Sequence, residues 1–115
     1  MAVTRALRLY AGPRARQRLL AQGGLAPQDV AVIPGAAGGP KGLVLLPLDE
    51  FLFGDWLRAS RHTLHLVGAS IGAWRMATAC LNDPVAGLRR FAREYIEQRY
   101  EVPAGRSRPT ADHVS

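Results

Sequence analysis

The sequence predicts an α/β fold built on a parallel sheet. Two short apolar runs, residues 29–33 (DVAVI) and 63–67 (TLHLV), have strand character, and each feeds a glycine-containing turn. A stretch with helical spacing follows each turn. The resulting order of strand, glycine loop, helix, strand, turn, helix calls for parallel strands joined by right-handed crossovers. Of the 115 residues, 48% are apolar, enough for a packed core and too many for a disordered chain.

Taken in order, residues 6–10 (ALRLY) read as a short strand, and Gly12-Pro13 breaks it. Pro13 suits the first turn of a helix that runs to Gln22 and stops at Gly23-Gly24. The strand at 29–33 leads into a nine-residue loop, 34–42, which holds four glycines. Residues 43–57 read as one helix, with Pro47 in its first turn or kinking it. The strand at 63–67 runs straight into Gly68-Ala69-Ser70-Ile71-Gly72, and a helix follows over 73–81. Asp83-Pro84 is an N-cap followed by a first-turn proline. Behind it Val85, Leu88, Ala92, Tyr95, Ile96 and Arg99 keep the three-four spacing of an amphipathic helix, and its apolar members are expected in the core. From about residue 103 the chain is polar and aperiodic and reads as a loop or frayed tail.

The length allows one small domain. Two clear strands and one doubtful one make a thin sheet with an open edge. Residues 1–115 are therefore expected to be the N-terminal part of a larger α/β domain, or to need a partner that completes it. A single cysteine excludes an internal disulfide framework and a four-cysteine zinc site, and fits a reducing compartment. The longest apolar runs are far too short to span a bilayer.

Fifteen basic residues stand against nine acidic ones, for a net charge of +6. Fourteen of the fifteen are arginine, and the first acidic residue, Asp29, comes after five of them. This start is read as a solvated basic helix face, with a transit peptide as the alternative. A basic surface favours anionic phosphates, including lipid headgroups. No nucleic-acid-binding motif and no interleaving of aromatic with basic residues appears, so no nucleic-acid partner is expected.

Gly68-Ala69-Ser70-Ile71-Gly72 matches the G-x-S-x-G elbow of serine hydrolases. The pattern suits a sharp strand-to-helix turn that exposes a serine Oγ at the carboxyl end of a strand. The flanking glycines remove Cβ atoms that would collide, and the following helix aims its N–H groups at developing negative charge. The alternative is a tight turn of small residues without chemistry. The second glycine loop, Gly35-Ala36-Ala37-Gly38-Gly39-Pro40-Lys41-Gly42, also joins a strand to a helix, so its N–H groups can line an anion site. As a nucleotide-binding P-loop it fails twice. Pro40 stands where the last glycine belongs, and Gly42 replaces the hydroxyl residue that would hold magnesium. As an oxyanion hole serving Ser70 it is well placed, since one βαβ unit separates the two loops. Lys41, the only lysine, reads on its own as a solvated loop residue.

Together the two motifs resemble those of the patatin-like phospholipases, which carry a D-G-G-G-x-[RK]-G loop and, one βαβ unit later, G-x-S-x-G. The corresponding residues here run from Ala36 to Gly42 and from Gly68 to Gly72, and the likeness covers most of residues 30–81. The resemblance implies a three-layer α/β/α fold and hydrolysis of acyl esters of lipids or phospholipids by a Ser-Asp dyad. Ser70 would be the nucleophile. Gly38 and Gly39 would supply oxyanion-hole N–H groups, and Lys41, Gly42, Gly68 and Gly72 would support the motifs. It implies no metal and no organic cofactor. The expected location is cytoplasmic, at the periphery of an anionic membrane surface.

Two features depart from the family pattern. Ala36 and Ala37 replace the acidic residue and first glycine of the loop. The family's dyad aspartate belongs to a D-G-[GA] motif far toward the C-terminus, and none of Asp29, Asp49, Asp55, Asp83 or Asp112 is followed by glycine. A serine without its base is a poor nucleophile, so these residues alone are expected to show little activity. One alternative is a Ser-His-Asp hydrolase drawing on Asp83, Asp112 and His113. Another is a non-catalytic chain that binds lipid or a partner. His65 reads as a hydrogen-bonded structural residue, and Cys80 as part of the core.

Overall fold

The computed structural model describes residues 8–98. Helix α1 (Pro13–Gln22) is followed by a 3-10 turn (Pro27–Asp29) and strand β1 (Val32–Gly35). A 3-10 segment (Gly39–Leu45) runs into α2 (Leu46–Gly54), and a second 3-10 turn (Trp56–Ala59) leads to β2 (His65–Gly68). Helices α3 (Ile71–Ala79) and α4 (Pro84–Glu97) complete the order. The fold is α/β, with a parallel two-stranded sheet in the register Val32 to His65 through Gly35 to Gly68.

The helix boundaries follow local chemistry. Pro13 occupies the first turn of α1, and Gly23 ends the helix in the left-handed conformation at φ 82°. Pro47 lies in the first turn of α2, so it starts that helix rather than kinking it. Asp83 caps α4 by accepting the Ala86 N–H at 3.1 Å.

Several expectations need correction. The strand expected over 6–10 is absent at residues 8–10, which are irregular and exposed; residues 6 and 7 lie outside the described part. The first core strand starts at Val32 rather than residue 29, because Asp29 closes a turn by accepting the Ala26 N–H at 2.9 Å. It also extends to Gly35, which pairs with Gly68. The single helix expected over 43–57 is three pieces, with the break at Asp55. Ile96 faces solvent rather than the core, whereas Leu88 is fully buried. Arg99 and the tail from residue 103 lie outside the described residues.

Pro34 sits inside β1 without disrupting it. The bonds from His65 N–H to Ala31 O and from Ala69 N–H to Gly35 O mark the odd-numbered positions of β1 as those facing β2. Pro34 therefore falls where an N–H would point to the open edge, and its missing donor costs nothing.

The core lies on one side of the sheet. Phe53, Leu57 and Met76 are its buried centre, with Ile33 and Leu66 packed against it from the strands and Leu64 from just before β2. The alternate side chains Val32, His65 and Val67 are exposed on the other face. A buried ion pair links the crossover helix to the helix behind Ser70. Arg75 donates from Nε and Nη2 to the two carboxylate oxygens of Asp49 at 2.7 and 2.8 Å, and the residues are only 5% and 2% exposed. Asp49 also lies in the first turn of α2, where the helix dipole favours a negative charge.

No helix among the described residues is long and apolar enough to cross a membrane. Helix α1 buries no residue, and its visible tie to the rest is Asp29, whose carboxylate meets Gln22 and Arg18.

Two outcomes follow. Arg75→Met or Asp49→Asn leaves a buried group unpaired and should lower stability by about 3–5 kcal/mol, whereas Asp49→Leu with Arg75→Met should restore most of it; urea midpoints compare them. The Ala26 N–H and the Gln22 side chain, with help from Arg18, hold the Asp29 carboxyl below its ordinary value, against a smaller opposing effect of burial. The stabilisation from Asp29 is therefore complete above the unfolded value of 3.8 and lost as pH falls through the lower folded value. A carboxyl NMR titration should give a folded pKa below 3.8, with α1 resonances shifting in the same step.

Candidate active site

Ser70 lies between β2 and α3 with φ 53° and ψ −127°. Among the described residues it is the only non-glycine with positive φ. Such a backbone costs about 1–3 kcal/mol and persists only where its surroundings hold it. Here the surroundings do so at both flanks. A Cβ on Gly68 would sit 2.5 Å from the Cα and N of Ala73. A Cβ on Gly72 would land on the carbonyl of Gly35. The elbow thus needs glycine at both positions because the start of α3 presses against the ends of β2 and β1.

The same close approach brings the two motifs together. Gly35 and Gly68 are register partners at the strand ends, and Ala69 N–H donates to Gly35 O at 3.1 Å. Gly42 is buried with its Cα against Ile71, whose Cγ2 would lie 2.7 Å from an added Cβ. The glycine loop therefore flanks the elbow. Gly38 and Lys41 sit side by side, Lys41 N–H donates to Gly38 O at 3.3 Å, and Gly39 takes φ 55°. Pro40 falls in the first turn of the 3-10 segment, where a proline forfeits no hydrogen bond.

Ser70 and Lys41 are exposed. The N–H groups of Gly38, Gly39 and Ile71 donate to no carbonyl among the described residues. Gly38 and Gly39 were expected from the sequence; Ile71 was not. The signal for it is its place directly after the serine, where the first N–H of the helix points along the dipole. Gly35 belongs to the loop by sequence, but its contact with the elbow does not follow from the local pattern. It follows from strand pairing with Gly68.

The other titratable groups have different partners. His62, not His65, is the hydrogen-bonded histidine: its Nε2 lies 2.6 Å from Val30 O and its Nδ1 2.8 Å from Ser60 Oγ. His65 is exposed on the outer face of the sheet. Alternation placed it there, opposite Leu64 and Leu66. Cys80 is exposed rather than in the core, because α3 ends at Ala79 and the chain turns outward; its Sγ contacts Met76 O. Asp83 is occupied as a cap and Asp49 by Arg75. Asp112 and His113 lie outside the described residues. Among the described residues, no histidine or carboxylate hydrogen-bonds Ser70 Oγ, and no three potential metal ligands cluster.

Comparison with protein family models, curated proteins and solved structures returns no match to this chain.

The elbow geometry predicts two stability contrasts. Ser70→Gly relieves the backbone strain and should leave the protein about 1 kcal/mol more stable than Ser70→Ala. Gly72→Ala must displace β1 or α3 and should cost at least about 3 kcal/mol, whereas Gly12→Ala, with nothing within 4 Å, should stay within about 1 kcal/mol. Denaturant midpoints read both.

Proposed function

We infer that the chain carries the nucleophile and oxyanion half of a lipid acyl hydrolase of the patatin-like kind, on a three-layer α/β/α scaffold. One observation carries the reading. The only strained non-glycine residue described is a serine at the carboxyl end of a parallel strand, with a glycine loop pressed against the same turn. Strain of this sort concentrates at functional sites.

In this reading Ser70 Oγ attacks the carbonyl carbon of a lipid ester. The carbonyl oxygen becomes an oxyanion directed at the N–H groups of Ile71, Gly38 and Gly39, in the field of the α3 N-terminus. Collapse of the tetrahedral intermediate expels the alcohol and leaves an acyl-serine, which water then hydrolyses. Lys41 adds positive charge beside the loop. The base that takes the Ser70 proton is a carboxylate that the described residues do not place on Oγ. Without it, turnover is lower by orders of magnitude. The reading involves no metal or organic cofactor, and it puts the protein in the cytoplasm against a lipid surface.

That no described carboxylate or histidine meets Ser70 Oγ favours a second reading, a non-catalytic chain that binds lipid or a partner. An alkyl fluorophosphonate separates the two. The hydrolase reading expects covalent modification of the peptide containing Ser70 and none in Ser70→Ala. A folded chain that stays unlabelled at Ser70 favours the non-catalytic reading over the hydrolase.

A further inference from the structure

We propose that α1 and the segment entering it form an interfacial anchor that seats the protein on an anionic lipid surface. Helix α1 is the only described α-helix that buries no residue, and it makes no extended packing contact with another element. One side of it is tied down through Arg18 and Gln22 to Asp29. Another side borders an open groove of about 580 Å³ lined by Leu9, Tyr10, Arg16, Leu19, Leu20 and Leu25. Tyr10 is 88% exposed and Leu20 is 73% exposed, so large apolar groups stand in water where nothing described covers them.

Charge selects the occupant. Arg8, Arg14 and Arg16 are exposed on the same segment, and no acidic residue precedes Asp29 anywhere in the sequence. Arg16 and Leu20 are four residues apart and share a helix face, so a guanidinium adjoins the apolar groove. A second copy of this chain would bring the same positive charges together. An anionic bilayer answers both features. Leucine side chains and the tyrosine ring enter the boundary between headgroups and acyl chains, while the arginines meet lipid phosphates.

The proposal takes its lipid class from the acyl-hydrolase reading, but its test does not use Ser70 chemistry. The full chain is sedimented with vesicles containing phosphatidylglycerol and with vesicles of phosphatidylcholine alone, at low and high salt. Binding is expected only with phosphatidylglycerol and should weaken with salt. Arg14→Gln with Arg16→Gln should lower the partition coefficient on the order of 25-fold, about fivefold per positive charge removed, and Arg14→Glu with Arg16→Glu should lower it further. Tyr10→Asp with Leu20→Asp should also lose binding without moving the urea midpoint, since neither side chain is buried. Arg90→Glu with Arg93→Glu on α4 makes the same change in net charge and should keep binding.

Equal binding to both vesicle types overturns the proposal. So does equal loss in the α4 variant, or a patch variant that changes the oligomeric mass but not vesicle binding. Vesicle binding without fluorophosphonate labelling removes the hydrolase reading and leaves the anchor standing. The reverse result removes the anchor alone.

Discussion

The structure turns on the contact between the backbone of Gly72 and the carbonyl of Gly35. That approach is open only to a residue without a Cβ, and it sets the distance between the elbow helix and the end of the neighbouring strand. Once α3 is held there, the chain between Gly68 and Ile71 must turn sharply, and Ser70 absorbs the turn in its own φ and ψ. The serine is thus presented outward by packing that lies beneath it. Gly42 lies against Ile71 on the other side, so the glycine loop and the elbow share one boundary. Both segments therefore lie at the carboxyl edge of the sheet, where α/β folds collect their sites.

The Asp49–Arg75 pair supports this arrangement from behind. Two aligned charge-assisted hydrogen bonds in a nearly dry setting fix the relative position of α2 and α3. Such a pair contributes little net stability compared with a well-packed apolar substitute, but it tolerates few alternative geometries. The two strands among the described residues make a sheet with little rigidity of its own. A directional clamp between the crossover helix and the helix carrying the serine suits that shortage. The core of Phe53, Leu57 and Met76 fills the space beside it and leaves the outer face of the strands, with Val32 and Val67, in water.

Charge and packing divide the chain into two regimes. From Val32 to Ala79 the elements share one core, and α4 packs against α2 and α3. Helix α1 stands apart, defined by its own proline start and glycine stop and tied down through one carboxylate. A helix of ten residues gains little from propensity alone, so this tie matters to its position.

The sequence by itself determined the features that need only near neighbours. Proline at the start of α1 and α4, the Asp83 cap, the Gly23 stop and the glycine-flanked serine are all local, because capping and tight turns are satisfied within a few residues. The parallel pairing of two strands across a helical crossover was legible for the same reason, since the order of elements is written along the chain. What only the tertiary structure decided depends on groups far apart. Arg75 finds Asp49 across 26 residues and His62 finds Val30 across 32, while His65, the more suggestive residue on its strand, is left in water. Cys80 and Ile96 look apolar enough for a core but are exposed, with no further layer among the described residues covering them. Gly35 becomes part of the elbow only because β1 pairs with β2, and a distance closed by folding leaves no trace in local spacing.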